Sequence, residues 1–325
     1  MSSGPGGAGR VSSDRMSLLV KIARMYHEQG LRQPEIADRL HISQSRVSRF
    51  LKEAVSIGIV RTVVVPPPGV FSELEEAVRD RYGLTDVVVA GPSTEDDSAV
   101  LAAIGGAGAA YLETTLIGAE RVGISSWSAS LLAVVEAMSP RAARSAEVVV
   151  QVLGGVGNPR VQVQATRLTD RLAQVTGGTG LYFPAPGVVS SATVRDALLA
   201  DPYISDVAAA WSTLSVVLVG IGSVQPSPLL VSSGNALPEA DLELLREAGA
   251  VGDVCLRFFD ADGALVETDL HERILGISAE ALRATPRKIG VAGGPRKFEA
   301  IRAAARGGWI DVLITDSFTA RRLVA

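Results

Sequence analysis

Three segments near the start of the chain repeat apolar residues every three to four positions, which is typical of amphipathic helices. Residues 18–26 predict the first helix, which is closed by a glycine. Residues 34–40 predict a shorter second helix that begins with a proline. Ser43 is placed to cap a third helix, which runs to about residue 57.

The second and third segments carry the apolar positions of a helix-turn-helix. Ala37 is small where the two helices must cross, and Val47 and Phe50 share the inner face of the third helix. The opposite face is short, polar and cationic, which suits the major groove of DNA. A helical packing module with a solvated charged face is the alternative interpretation.

We predict that this polar face contacts duplex DNA. Gln44, Ser45 and Arg49 are assigned to base edges, because glutamine can read adenine and arginine can read guanine. Ser43, Arg46, Lys52 and Arg61 are assigned to the phosphate backbone, and Ser48 lies on the same exposed face. The complete predicted set is Ser43, Gln44, Ser45, Arg46, Ser48, Arg49, Lys52 and Arg61.

Residues 59–66 have strand character and predict a wing after the third helix. The run of three prolines at residues 66–68 cannot continue a strand ladder and marks a boundary. We therefore divide the chain into a disordered tail (1–14), an all-α winged helix-turn-helix domain (15–65), a linker with a bridging helix (66–83) and an effector domain (84–325).

Beyond residue 84 the period of the pattern changes. Apolar runs of strand length alternate with helical segments, which predicts a large Rossmann-like α/β domain with a parallel sheet and helices on both faces. The predicted strands are 86–90, 121–125, 147–155, 217–222, 254–259, 288–294 and 310–316, and the predicted helices lie around 97–117, from about 129, and at 161–175. The uncharged run 207–238 is broken by polar residues and prolines, so we interpret its apolar parts as buried strands and not as a membrane span.

Charge separates the two parts of the chain. The 325 residues have a formal net charge of −4, yet residues 10–61 carry ten lysines and arginines against five acidic residues. This part is therefore near +5 and the remainder near −9, which indicates that only the amino-terminal part meets a polyanion.

The scarcity of cysteine and histidine restricts the chemistry. A single cysteine rules out an internal disulfide framework and fits a cytoplasmic location, and three scattered histidines argue against a His/Cys metal site. The first residues lack the apolar core of a signal peptide. We predict no metal and no cofactor. Residues 105–112 resemble a dinucleotide fingerprint but lie inside a helical pattern.

The loops that follow the predicted strands are small and polar. In parallel sheets the carboxyl ends of strands and the nearby helix amino termini bind anions. Ser125, Ser126 and Ser128 could cradle a phosphate, and Lys297 would add a positive charge. Tight connections between strands and helices are the alternative for such loops, and a solvated first-turn residue is the alternative for Lys297.

In combination these segments resemble the SorC family of sugar-binding transcriptional regulators. The matching segments are "EIADRLHISQSRVSRFLKEA", "GISS", "LGGVGN", "VGIGS", "GAVGDV", "FFDADG" and "IDVLITD". The resemblance implies a winged helix-turn-helix and an effector domain related to glucosamine-phosphate deaminases and ribose-phosphate isomerases. It also implies homodimers or homotetramers that bind operator DNA and a sugar or sugar phosphate.

Carried over by position, the resemblance assigns ligand contacts to Ser125, Ser126, Ser128, Gly155, Gln164, Asp253 and Lys297. Two features depart from the family pattern. The serine loop reads "SSWSAS" where many members have a glycine and a threonine. No lysine lies between Lys52 and Lys288, which excludes a Schiff base on a central strand and predicts noncovalent binding.

A sugar-phosphate isomerase or deaminase with an added DNA-binding domain is the competing hypothesis. Such chemistry needs an acid and a base in the pocket, and the loop at residues 220–228 has neither a carboxylate nor a histidine. Asp253 and Asp316 remain as possible bases. We predict a ligand-responsive DNA-binding regulator without catalytic residues.

Overall fold

The computed structural model describes residues 8–60, 67, 69–118, 120–140, 143–155, 165–225 and 237–325. The chain divides into two compact units, Met1–Pro66 and Pro67–Ala325, which we call the N unit and the C unit. In the described ranges, no helix combines the length and the apolar character needed to cross a membrane.

The N unit contains three helices, α1 (Ala8–His27), α2 (Gln33–Leu40) and α3 (Gln44–Ser56). Their apolar faces form one cluster, to which α1 contributes Leu19 and Ile22 and α3 contributes Val47 and Phe50. Ala37 of α2 is buried in the same cluster, as a close crossing of α2 and α3 requires. Helix α1 begins at Ala8, inside the segment predicted as a tail. The predicted wing, apart from residues 59 and 60, lies outside the described residues.

The turn between α2 and α3 has an unusual backbone. His41 caps the end of α2 with φ 52° and ψ 44°, a left-handed conformation that favours glycine. Its amide donates to the carbonyl of Asp38 at 3.3 Å. Ser43 then caps α3 by accepting a hydrogen bond from the amide of Arg46 at 3.3 Å.

The C unit is built on a parallel sheet of seven strands in the order β1-β10-β9-β5-β2-β3-β4. These strands are β1 (Asp86–Ala90), β2 (Glu120–Ile124), β3 (Ala146–Gln151), β4 (Thr179–Leu181), β5 (Val216–Gly220), β9 (Arg287–Val291) and β10 (Val312–Asp316). A smaller antiparallel sheet contains β6 (Gly222–Ser223), β7 (Gly252–Val254) and β8 (Arg257–Phe259). The α/β fold class predicted from the sequence is confirmed.

Helices cover both faces of the large sheet. The described helices of the C unit are α4 (Ser72–Tyr82), α5 (Asp97–Thr115), α6 (Ala129–Ala137), α7 (Ala165–Thr176), α8 (Ala192–Leu199), α9 (Pro202–Ala210), α10 (Glu239–Glu247), α11 (Ala279–Ala284), α12 (Phe298–Arg306) and α13 (Ser317–Val324). One apolar cluster lies between the sheet and α5, α6 and α7. The other lies on the opposite face and includes side chains of α4, α9, α12 and α13.

Strand order reverses in the middle of this sheet. Along the chain, β2, β3 and β4 follow one another toward one edge, whereas β5, β9 and β10 follow one another toward the other. The carboxyl ends of β2 and β5 therefore flank a topological switch point, where open parallel sheets leave a crevice for ligands.

Two sequence predictions about elements are wrong. Residues 254–259 do not form a strand of the parallel sheet, because Cys255 (φ 53°) and Leu256 (φ 61°) form the two-residue turn of the β7–β8 hairpin. The apolar run at residues 207–211 is not a buried strand, since it ends helix α9 and enters a short 3₁₀ turn. Ile204 and Val207 face the core from this helix, and the apolar stretch is therefore buried by helix packing.

Candidate functional site

Helix α3 presents the polar face expected of a recognition helix. Val47, Phe50 and Leu51 are buried on its inner side. On its outer side Gln44, Ser45, Arg46, Arg49 and Lys52 are exposed, while Ser48 is half-buried. Helix α3 therefore separates an apolar face from a face that carries two arginines and a lysine.

Two predicted DNA contacts, Ser43 and Arg61, lie outside the residue range of α3. The hydroxyl of Ser43 accepts the cap hydrogen bond from Arg46 and lies 3.0 Å from the hydroxyl of Ser45, so it helps to shape the start of α3. Arg61 lies outside the described residues.

In the C unit, the serine loop at residues 125–128 lies directly on the switch point. Ser128 caps α6 by accepting a hydrogen bond from the amide of Leu131 at 3.2 Å, and no acceptor among the described residues takes its hydroxyl proton. Its side chain fills the space beside Gly220, where an added Cβ would lie 2.5 Å from Ser128 Oγ. The end of β2 and the end of β5 therefore meet at this serine.

The other two serines of the loop have different surroundings. Ser125 is buried, its amide donates to the carbonyl of Leu218 at 3.1 Å, and its hydroxyl has no hydrogen-bond partner in the described part of the chain. Ser126 is buried and its hydroxyl donates to the carbonyl of Leu153 while it accepts a hydrogen bond from Gln151 Nε2 at 3.1 Å. The Ser126 side chain therefore organises the loop, and the Ser125 hydroxyl remains available.

Gly155 is held by backbone hydrogen bonds. Its amide donates to the carbonyl of Ala185 at 3.0 Å, and its carbonyl accepts from the amide of Gly187 at 2.5 Å. It is buried and lies after β3, next to the strand that flanks the switch point. Gln164 lies outside the described residues.

Asp253 reaches the crevice from the small sheet. It pairs with Gly222 across the β6–β7 ladder, and a Cβ on Gly222 would lie 1.9 Å from Asp253 Oδ1. Its other oxygen accepts a hydrogen bond from the amide of Leu256 at 2.9 Å, which closes the β7–β8 turn. Glycine at position 222 therefore makes room for this carboxylate beside the end of β5.

Lys297 lies after β9, in a short 3₁₀ turn that precedes α12. The turn starts at Gly294, whose φ of 90° requires glycine and whose amide donates to Asp316 Oδ2 at 2.8 Å. Arg296 in the same turn forms an ion pair with Asp97. In the described ranges, the Lys297 ammonium itself forms no close ion pair.

The electrostatics of Asp253 and Lys297 are coupled. Burial raises the pKa of Asp253 to about 6, and the hydrogen bond from Leu256 and the charge of Lys297 oppose this change. Burial also lowers the pKa of Lys297, while the charges of Asp253 and Asp97 oppose that change. The crevice thus offers one half-buried cation and one carboxyl group that can accept or donate hydrogen bonds near neutral pH.

The sequence is similar to a known protein family and to characterised regulators. The Sugar-bind family model, which describes a sugar-binding domain, matches residues 68–325. The deoxyribonucleoside regulator of Bacillus subtilis (strain 168) is 31% identical over 311 residues, which cover 96% of this chain and 98% of the relative. The transcriptional regulator LsrR of Escherichia coli (strain K12) is 30% identical over 310 residues, which cover 94% of each chain.

Solved structures agree with the sequence comparison. The crystal structure of the full-length sorbitol operon regulator SorC from Klebsiella pneumoniae aligns with a TM-score of 0.73 and 27% identity, covering 96% of this chain and 100% of that one. The chain belongs to the SorC family of sugar-binding transcriptional regulators. The resemblance inferred from the sequence motifs is confirmed.

Membership of the SorC family decides between the two functional hypotheses. The alignments cover nearly the whole length of these relatives, and the relatives are transcriptional regulators. This SorC-family chain is therefore a DNA-binding regulator with a sugar-binding domain and not an enzyme. In the part of the chain that the structure describes, no group of three His, Cys, Asp or Glu side chains could hold a metal ion.

Sequence reasoning missed one residue of the crevice, Gln151, and considered another, Asp316, only as a possible base. Gln151 is buried at the end of β3. Its Nε2 donates to the Ser126 hydroxyl and to the carbonyl of Leu153 at 2.8 Å, and its Oε1 accepts from the backbone amide of Phe183 at 3.2 Å. Asp316 is buried at the end of β10, where both carboxylate oxygens accept two hydrogen bonds each. A polar residue that ends a long apolar run was the available signal for both.

Asp316 was considered as a base in the enzyme hypothesis. Its donors are the amides of Gly294, Phe318 and Thr319 and the hydroxyl of Thr319. These four hydrogen bonds occupy the carboxylate and fix the loop that carries Lys297. Asp316 is therefore a structural residue of the crevice.

Proposed function

We propose that the C unit binds a sugar phosphate noncovalently in the crevice between the carboxyl ends of β2 and β5. The main support is the convergence of three separate connections on the switch point: Ser125 and Ser128 after β2, Asp253 beside Gly222, and Lys297 after β9. Hydroxyl groups, a helix amino terminus and one cation suit a phosphate, while a carboxyl group suits sugar hydroxyls.

Each predicted ligand contact has a distinct proposed role. The hydroxyls of Ser125 and Ser128 and the first amides of α6 donate to the phosphate, and Lys297 balances its charge. Asp253 binds sugar hydroxyls. Ser126 and Gly155 shape the crevice, because the Ser126 hydroxyl and the backbone amide and carbonyl of Gly155 are already paired within the fold. Gln164 stays a predicted contact.

The N unit is proposed to bind operator DNA through α3. Gln44, Ser45 and Arg49 are proposed to contact bases, while Ser43, Arg46, Lys52 and Arg61 contact the phosphate backbone, and Ser48 lies beside them. Binding of the sugar phosphate changes the affinity for the operator, which requires a different affinity of the ligand for the two states of the regulator. We propose that the regulator acts in the cytoplasm as a homodimer or homotetramer, so that two recognition helices reach two half-sites.

Relatives support a carbohydrate effector by their names, which refer to deoxyribonucleosides in Bacillus subtilis and to sorbitol in Klebsiella pneumoniae. The ligand experiment measures thermal stabilisation and turnover of the full chain with ribose 5-phosphate, deoxyribose 5-phosphate, fructose 6-phosphate and sorbitol 6-phosphate. We expect stabilisation by at least one compound, because a ligand that binds only the folded state raises the Tm. No turnover is expected.

A charge variant and its control test the position of the phosphate. Lys297→Met removes the cation at the start of α12 and should abolish the stabilisation. Arg306→Met removes an exposed cation at the opposite end of the same helix and should leave the stabilisation intact. Stabilisation that survives Lys297→Met, or that is absent for every compound in the wild-type protein, contradicts the proposal.

The DNA experiment compares Arg49→Ala with Arg24→Ala in footprinting and salt-titration assays. Arg49 is exposed on α3, whereas Arg24 is exposed on α1 and paired with Glu28 at 2.8 Å. We expect Arg49→Ala to lose operator selectivity while the ligand response is kept, and Arg24→Ala to resemble the wild type. An unchanged footprint in Arg49→Ala contradicts the assignment.

A further inference from the structure

The three tryptophans of the chain are all in the C unit, and one of them differs from the others. Trp211 Nε1 donates to the carbonyl of Gln151 at 3.0 Å, and Trp309 Nε1 donates to the carbonyl of Gly263 at 2.9 Å. Both rings belong to the apolar cluster on one face of the sheet. Trp127 Nε1 is buried as well, yet it has no hydrogen-bond partner in the described part of the chain.

Trp127 is located inside the serine loop. Its neighbours on both sides are fixed, since Ser126 is bonded to Leu153 and Gln151 and Ser128 lies against Gly220. The position of residue 127 at the switch point is therefore determined by the fold and not by contacts of the indole.

The surroundings of Trp127 do not explain its presence. The half-buried indole belongs to none of the four apolar clusters that the described residues form. A buried N–H donor without a partner costs free energy, because it has lost its hydrogen bonds to water. Tryptophan in this loop thus destabilises the ligand-free protein relative to an aromatic residue without the N–H group.

We propose that Trp127 recognises the carbohydrate part of the ligand, with the indole N–H donating to a hydroxyl or ring oxygen of the sugar. This inference rests on the proposed sugar-phosphate function of the crevice. The phosphate is held by Ser125, Ser128 and Lys297, and Trp127 makes the site selective for a polyhydroxylated anion over inorganic phosphate. The indole N–H gains a hydrogen-bond partner only in the complex. A sugar phosphate, which supplies that partner, is therefore favoured over inorganic phosphate.

Trp127→Phe is the decisive substitution, because it removes the N–H group and keeps an aromatic ring. The experiment uses the full chain, the stabilising compound from the panel of four sugar phosphates, and inorganic phosphate as the second probe. We expect about tenfold weaker binding of the sugar phosphate, which corresponds to the loss of one neutral hydrogen bond. The binding of inorganic phosphate should be unchanged. The Tm of the ligand-free variant should equal or exceed that of the wild type.

Trp309→Phe is the matched control, since it removes a satisfied N–H group far along the chain from the serine loop. This control should lower the Tm and leave the affinity for the sugar phosphate unchanged. Fluorescence provides a second readout: sugar phosphate should change the emission of the wild type and of Trp309→Phe, but not that of Trp127→Phe.

The outcomes separate the inference from the proposed function. If the wild type binds the sugar phosphate and Trp127→Phe binds it equally well, the inference is wrong and the proposed function stands. Equal weakening for the sugar phosphate and for inorganic phosphate also overturns it, because the indole would then only shape the loop. If no compound binds to the wild type, the proposed function fails and the inference fails with it.

Discussion

Replacing Asp316 by alanine tests how the fold holds the loop of Lys297. Asp316 is 0% exposed, and its Oδ1 accepts the amides of Phe318 at 3.0 Å and Thr319 at 2.9 Å. Oδ2 accepts the amide of Gly294 at 2.8 Å and the hydroxyl of Thr319 at 2.6 Å. The carboxylate therefore caps α13 and anchors the turn before α12 at the same time.

The magnitude follows from these two roles. Loss of an N-cap costs about 1 kcal/mol. Hydrogen bonds to a charged group contribute roughly 1.5–3 kcal/mol each. Two effects reduce the loss: the Gly294 amide keeps a hydrogen bond to Thr319 Oγ1 at 3.1 Å, and removing a buried anion recovers part of its desolvation cost. We expect Asp316→Ala to lower the free energy of unfolding by about 3–4 kcal/mol. That corresponds to a Tm about 10 °C lower for a unit of this size.

Asp201→Ala is the matched control. Asp201 caps α9 through a single hydrogen bond from the amide of Tyr203 at 3.0 Å, and it is exposed. Its loss should cost only about 1 kcal/mol. Urea unfolding followed by tryptophan fluorescence reports on the C unit alone, because all three tryptophans lie in it. If the two variants differ by less than 1 kcal/mol, the anchoring role of Asp316 is refuted.

Two further predictions concern His41 and Asp253. His41→Gly should stabilise the N unit by about 0.5–1 kcal/mol, since glycine accepts the left-handed conformation without strain; slower amide exchange in α2 and α3 would support this, and faster exchange would contradict it. The pKa of Asp253 is raised to about 6, so the folded state favours the protonated form, and the free energy of unfolding should fall as pH rises from about 4 to about 6. Asp253→Asn should remove this fall and be more stable than the wild type at pH 8 but not at pH 4, and parallel pH profiles of the two proteins would refute the assignment.

Much of the fold could be predicted because it depends on local patterns. The helical period of residues 18–57 and the small Ala37 predict three helices with one crossing, and the three helices are present. Seven apolar runs predicted strands, and six of them form strands of the parallel sheet. Periodicity carries this information because each segment must bury one side.

The exceptions arise where an apolar segment is buried in another way. Cys255 and Leu256 lie in a hairpin turn that few side chains favour, and the pairing of β7 with β8 and the Asp253 carboxylate help to hold them there. Residues 207–211 are apolar because a helix packs on the sheet, and an apolar run of that length does not distinguish helix from strand.

The sequence by itself determined the types of group in the site: serines, glycines, an aspartate and a lysine after successive strands. Only the tertiary structure decided which of them are available. In the folded chain the Ser126 hydroxyl and the Gln151 amide hold the serine loop, and Asp316 accepts four hydrogen bonds. In the described part of the chain, the Trp127 indole N–H has no hydrogen-bond partner and Lys297 forms no close ion pair. The physical reason is that hydrogen-bond satisfaction depends on groups far apart in the chain, which no local pattern records.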